Sequence, residues 1–312
     1  MAVVTSDFLA GVLTNFRALY SREFQAAMAL QGWPMLANRI TSTGELNTYE
    51  WFGTVPTMTD VSHGGGPPLA GLNEFNFSIT NLEYQAALEV RRAALERDQL
   101  NLISPRINQL GQEAARHPGK LIFDLFETPG NAFDGSAFFA DTRTIGNSAN
   151  IDNQLAGTGT SIAQFQTDLA AARTQMRKFQ DDEGRTMNLI GNVIVVPPDI
   201  ELPVWQALNV QSEGGVSSTV VPATANGVLQ GRGYTVVVNP ELTDANDWYL
   251  CHVGPGQDKP WIWQVEKAPV LESDTNPSTR EAILKRNFVY SVYGRYAVGS
   301  TDPRFIVKTT NS

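Results

Sequence analysis

His63, Gly64, Gly65 and Gly66 come nearest to a known catalytic loop, because a histidine followed by glycines can present the backbone N–H donors of an esterase oxyanion hole. That chemistry also needs a nucleophile elbow, Gly-x-Ser-x-Gly, and no serine in the chain sits in one. Turn residues at the tip of a hairpin explain the same stretch more simply. Cys251 and His252 offer a thiol beside a base, but neighbours in a strand point to opposite faces, so Cys251 reads as a lone buried cysteine. The glycine-rich stretches 157–161 and 254–259 match neither the phosphate loop nor the dinucleotide fingerprint. Three scattered histidines and one cysteine leave no zinc spacing. Asp181, Asp182 and Glu183, next to Gly184 and Arg185, read as a solvated loop. No constellation reaches catalysis, and the expectation is a protein that is not an enzyme, with no catalytic residues, no cofactor and no metal.

Composition narrows the class. A chain of 312 residues with 42% hydrophobic and 18% charged residues can bury a core and form one large domain or two moderate ones. Its net charge of −9 gives no electrostatic footprint for tight nucleic-acid binding, which needs clustered lysine and arginine. One cysteine supports no intrachain disulfide and fits the cell interior or a particle assembled there. No apolar run reaches the roughly 18 residues of a membrane span, and no membrane partner is expected. The apolar stretch 8–13 has no positive residue before it, so no signal peptide is expected.

The elements that could position a site follow from periodicity. Phe8, Val12, Phe16, Leu19, Tyr20, Phe24 and Met28 recur at helical spacing, giving an N-terminal helix that either packs on its own domain, the commoner arrangement, or reaches to a partner. Residues 47–82 read as a long hairpin. Tyr49, Trp51 and Val55 share one face of its first strand, and Phe75, Phe77 and Ile79 share one face of its second. Its tip, from Pro56 through His63, Pro67 and Pro68 to Gly71, is too long for a tight turn and too poor in apolar residues to hold a core. A two-stranded ribbon is marginal alone, so it must lie on something. The subunit's own body can cover its base but not its tip. A further strand carries Leu82, Tyr84, Ala86, Leu88 and Val90 on one face.

A long helix over 104–127 organises the chain, with Ser104 as N-cap and Pro105 at its first position. His117, Pro118 and Gly119 are expected to kink or split it, and Thr128, Pro129 and Gly130 to stop it. After an ordered loop around Phe138 and Phe139, residues 146–160 are expected to be flexible. Residues 161–179 form a helix burying Ile162, Phe165, Leu169, Ala172, Met176 and Phe179. A buried strand over 188–196, a short helix over 199–208 and a strand over 234–238 suggest a small α/β domain, with 211–233 as a surface loop. Strands follow at 261–263, 287–296 and near the chain's end.

In this order the elements resemble the Hong Kong 97-like major capsid fold of tailed phages. The stretches Asn47-Thr48-Tyr49-x-Trp51-x-Gly53-x-x-Pro56, His117-Pro118-x-x-Leu121-Ile122-Phe123-x-Leu125 and Asp134-Gly135-x-x-Phe138-Phe139 are similar to the Mu-like major head subunit family, the T protein. Val195-Val196-Pro197-Pro198 is similar too, whereas Ala140-Asp141-Thr142-Arg143 stands where His-Pro is expected. The resemblance implies an α+β fold with an N-terminal arm (1–45), an E-loop hairpin (46–82), a peripheral domain (83–159 and 266–312) with spine helix 104–127, and an axial domain (160–265). It implies a major capsid protein of a tailed double-stranded DNA phage, built in the host cytoplasm into the icosahedral shell of the virion. Its partners would be itself, as hexamers and pentamers, with scaffold and portal proteins during assembly, and it leaves a decoration protein open. The shell would enclose DNA without sequence-specific binding. Trp51, Pro56, His63, Pro67, Pro68, Phe75, Phe77 and Ile79 are the expected inter-subunit residues of the E-loop. The alternative is the shell of an encapsulin-type nanocompartment, which shares the fold and differs in cargo.

Overall fold

The computed structural model describes residues 6–52, 74–96, 100–209, 233–256, 258–276, 279 and 283–311. The elements run α1 (Ser6–Leu30), β1 (Ala37–Thr41), β2 (Leu46–Phe52), β3 (Glu74–Thr80), β4 (Leu82–Arg91), α2 (Arg92–Glu96) and α3 (Leu100–Glu127). They continue through β5 (Gln154–Ala156), α4 (Ile162–Lys178), β6 (Gly191–Val196), α5 (Glu201–Asn209), β7 (Thr235–Val238), β8 (Trp248–His252), β9 (Trp261–Asp274), β10 (Asn287–Ser300) and β11 (Ile306–Thr310). Pro56, His63, Pro67, Pro68 and all but the last residue of the 211–233 loop lie outside the described residues.

Two sheets and a ribbon result. A four-stranded sheet has the order β1-β9-β10-β4, with β1 parallel to β9 and the other pairs antiparallel. A five-stranded sheet has the order β5-β11-β8-β6-β7. Within it β6 and β7 run parallel across α5, the strand–helix–strand unit expected from the sequence. Among the described residues, β2 and β3 pair only with each other.

The five-stranded sheet is covered on both faces, and strict alternation decides which side chain goes where. Val193 and Val195 of β6, with Tyr249 and Cys251 of β8, enter a core shared with Ile122, Phe123 and Phe126 of α3 and with Trp33, Trp261 and Trp263. Ile194 and Val196, with Trp248 and Leu250, enter the opposite core, against Phe165, Leu169, Ala172 and Met176 of α4 and Val204 and Ala207 of α5. A third core joins Val12, Phe16 and Tyr20 of α1 to Ile103 and Ile107 of α3 and to Phe288, Tyr290 and Val292 of β10. The N-terminal helix therefore packs within its own subunit. α3 bridges both sheets; its 28 residues span about 42 Å at about 1.5 Å per residue.

Several expectations need correction. α3 starts at Leu100, so Ser104 and Pro105 lie inside it rather than at its start. Burying Ile103 with Ile107 against α1 holds this extra turn in place despite the one backbone donor that Pro105 removes. His117, Pro118 and Gly119 do not split the helix. The segment 146–160 is built in: Ile151 and Asn153 are fully buried, and β5 pairs with β11. Asn153 Nδ2 donates to the Phe138 and Pro303 carbonyls, each at 3.0 Å, which ties the segment to two other parts of the chain. Asp181 and Asp182 are buried rather than solvated, because arginines meet that loop. The Arg185 guanidinium lies 2.8 Å from Asp181, and Arg304 donates to the Gln180 carbonyl. β6 begins at Gly191 rather than at 188, after Asn188 takes a left-handed φ of 51°. β9 runs for 14 residues, far beyond its signal at 261–263, and β10 starts where expected and continues past 296 to Ser300; the pair carries a bulge where Pro269 and Gly294 meet.

Candidate subunit-interaction site

The ribbon is the part of the chain shaped to meet something outside it. Its register pairs Tyr49 with Phe77 and Trp51 with Phe75, so Tyr49, Phe77 and Ile79 share one face. The Tyr49 and Phe77 rings stack at 5.2 Å. On the other face the Thr48 and Ser78 hydroxyls lie 3.0 Å apart. β3 then passes through Asn81 straight into β4, so the ribbon is rooted in an edge strand of the four-stranded sheet.

The root is held by apolar contact and by a buried polar network. Ile79, 7% exposed, packs on Ile262 of β9 and Ala297 of β10. Gly299 makes room for it, since a Cβ there would lie 2.4 Å from Ile79 Cδ1. Gln264, fully buried in β9, accepts a hydrogen bond from the Tyr49 hydroxyl at 2.6 Å. Its Nε2 donates to Asn81 Oδ1 at 2.8 Å and to the Ile79 carbonyl at 3.3 Å. Asn81 Nδ2 donates in turn to Ser42 Oγ at 2.9 Å and to the Gly44 carbonyl at 2.7 Å. Both amides thus donate twice and accept once, so no buried amide N–H or oxygen is left without a partner.

Two further seams hold the body that carries the ribbon. At the first, His117 Nδ1 lies 2.8 Å from the Tyr296 hydroxyl of β10, and the Tyr84 ring of β4 lies 4.5 Å from the imidazole. Burial pushes the His117 imidazole below its ordinary pKa. Gly119, two residues on, lets Trp33 approach, because a Cβ there would lie 2.5 Å from Trp33 Cδ1. At the second, Glu127 at the end of α3 accepts from Thr243 Oγ1 at 2.8 Å and from the Asp244 N–H at 3.0 Å. Desolvation raises the Glu127 carboxyl, but these donors outweigh it and hold the carboxyl below its ordinary value. Arg116 pairs with Glu241 on the same turn.

Arg143 explains the stretch that departs from the expected His-Pro. Its guanidinium is buried, 3.1 Å from Asp134, and donates to the Ala137 and Phe138 carbonyls. It thereby holds the loop that presses Phe138 onto Trp261, with ring centres 5.1 Å apart.

Of the expected interface residues, Trp51 and Phe75 lie in the paired strands, and Phe77 and Ile79 sit at the root on the subunit's own body. Sequence reasoning missed Gln264. Its signal was a lone amide in the otherwise apolar run Trp261-Ile262-Trp263-Gln264-Val265. Cys251 is fully buried and burial pushes its thiol up, while His252 Nδ1 lies 2.8 Å from the Ile190 carbonyl. In the stretch 157–161 the Thr158 N–H goes to the Asp168 carboxylate at 2.8 Å, so a carboxylate already holds that donor. Among the described residues no group of three or more His, Cys, Asp or Glu is placed to hold a metal, and no helix is long and apolar enough to cross a membrane.

Comparison with known proteins bears on this architecture directly. The chain is 29% identical over 156 residues to the Mu-like prophage FluMu major head subunit of Haemophilus influenzae, covering 49% of this chain and 48% of that protein. It is 26% identical over 166 residues to the major capsid protein of Escherichia phage Mu, covering 51% and 50%. The chain therefore spans about half the length of the curated relatives it matches. Among solved structures, a chain from the procapsid of bacteriophage JBD30 superimposes with a TM-score of 0.55 at 19% identity, covering 99% of this chain and 77% of that one. The shared fold is the Hong Kong 97-like α+β capsid fold. The phage capsid protein family model matches residues 78–309, from the root of the ribbon into β11, and with that stretch inside it the chain belongs to the phage capsid protein family.

Proposed function

We propose that the protein is the major capsid subunit of a tailed double-stranded DNA bacteriophage, a structural protein rather than an enzyme. Copies associate as hexamers and pentamers into the icosahedral head of the virion, assembled in the host cytoplasm with scaffold and portal proteins. The four-stranded sheet with α3 serves as the peripheral domain, and the five-stranded sheet with α4 and α5 as the axial domain. On this reading β11 goes with the axial unit and residues 261–265 with the peripheral one, since those are the sheets they join.

One observation carries the reading: a ribbon that, among the described residues, pairs with no other strand, and whose register continues outward from an anchored root to the Trp51–Phe75 pair. A ribbon of that kind is stable only when covered. The neighbouring subunit is the natural cover in a shell, where each copy meets others through repeated heterologous contacts. Trp51, Pro56, His63, Pro67, Pro68 and Phe75 would make that contact, with Phe77 and Ile79 fixing its base. The acidic chain suits a container, since a wall that bound phosphate tightly would hold the packed genome in place.

Deleting residues 58–70 tests the reading. The variant should keep its circular dichroism spectrum and lose particles on sedimentation; particles at wild-type yield would overturn it. Nucleic acid rather than protein inside the particles separates a phage head from a nanocompartment.

A further inference from the structure

The buried network at the ribbon root has only one way to be satisfied. The Gly44 and Ile79 carbonyls can only accept, and each receives an amide N–H. Ser42 Oγ spends its own proton on the Gly44 carbonyl at 2.7 Å, so it too must accept from Asn81. Asn81 is thereby forced to turn its oxygen toward Gln264, and Gln264 to turn its oxygen toward Tyr49. Flipping either amide sets oxygen against oxygen inside a site from which Gln264 is wholly closed to solvent. The last member of the relay, Tyr49, belongs to the ribbon, while Gln264 belongs to the body.

We propose that Gln264 is a positioning residue for assembly: through the Tyr49–Gln264–Asn81 relay it fixes the angle at which the ribbon leaves its subunit, and so the curvature of the shell that further copies build. This rests on the shell-subunit reading above. Apolar contact is less directional than a hydrogen bond, and the 2.6 Å bond from Tyr49 cannot stretch and survive. A tilt of about 10° at the root moves the far end of a seven-residue strand by roughly 4 Å at about 3.3 Å per residue. Such a shift changes which residues of a neighbour the ribbon meets.

The test compares shells formed by the full-length chain and three variants, by electron microscopy and sedimentation. Tyr49→Phe removes only the hydroxyl's bond to Gln264, and Gln264→Met removes the whole relay. Ile107→Val, between α1 and α3, is the control for lowered stability without change at the root. The expected result is one diameter for wild type and Ile107→Val, and a broadened or shifted distribution for Tyr49→Phe and Gln264→Met. If Gln264→Met does not fold, Tyr49→Phe decides the matter alone. Wild-type diameters from Tyr49→Phe, or equal broadening in the Ile107→Val control, would overturn the positioning role while leaving the shell reading intact. A wild-type chain that forms no shells would remove the shell reading and this inference together.

Discussion

Truncating Ile79 to alanine should release the ribbon without unfolding the subunit. Ile79 is 7% exposed and packs on Ile262 and Ala297, so the substitution removes nearly all of a buried aliphatic contact. Isoleucine-to-alanine changes in cores cost about 2–5 kcal/mol, and a site at the margin of the fold, able to collapse, belongs near the lower end, about 2 kcal/mol. Among the described residues the ribbon pairs with no other strand and is held by its root, so this cost falls on a local opening rather than on global unfolding. About 2 kcal/mol corresponds to a roughly 30-fold rise in the open population at about 1.4 kcal/mol per tenfold. Hydrogen exchange should therefore speed up by that factor at the paired amides of β2 and β3. The urea midpoint read by circular dichroism, which reports the three main cores, should barely move. Ile79→Val should show the same pattern at about 0.5–1.5 kcal/mol. Unchanged exchange in the ribbon would refute the reasoning. So would a midpoint that falls by the full cost while the ribbon stays as protected as the cores, because the ribbon would then be part of the global folding unit.

Other consequences follow from the body. Arg304→Met strips the buried Asp302 carboxylate of its guanidinium partner, 2.8–2.9 Å away, and should cost about 3–5 kcal/mol in chemical denaturation. The Glu127 carboxyl is held below its ordinary value of 4.5, so its contribution is complete above that value and lost as pH falls through the lower folded-state value. Glu127→Gln should thus lower stability near neutrality and flatten its dependence on pH on the acid side, read as denaturation midpoints across pH. In α1, a Cβ added at Gly11 would meet nothing within 4 Å, so Gly11→Ala should raise stability by about 0.5–1 kcal/mol. Gly119→Ala in α3 should instead lower the thermal midpoint, because its Cβ would meet the buried Trp33 ring and overpacking costs about 1–3 kcal/mol.

Much of this fold was legible because period and spacing map directly onto burial. The apolar set of α4 reads off as one face and is one face, with the Ser161 N–H donating to Gln164 Oε1 at its start as serine and glutamine three apart suggest. The alternation at Phe75, Phe77 and Ile79 gave the ribbon and its register face. What stayed hidden depends on partners distant in sequence. Arg185 stands beside Asp181 and Asp182 in the sequence, but Arg304, which also meets their loop, lies more than a hundred residues away. The early start of α3 is decided by Ile103 meeting α1, a contact that outweighs the local proline signal. Gln264 was readable only as an oddity in an apolar run; its role needs Tyr49 and Asn81 brought beside it. His117 carried family resemblance in the sequence and Gly119 only a helix-break signal, but their physical reasons, a tie to Tyr296 and an opening for Trp33, appear only in three dimensions.

Electron microscopy of the overexpressed, purified full-length chain tests the central claim most directly. Closed shells of a defined diameter, with capsomers visible as rings of six and five, are the expected result. A solution that holds only small, discrete species across the protein concentrations and salt conditions in which capsid subunits associate would contradict it.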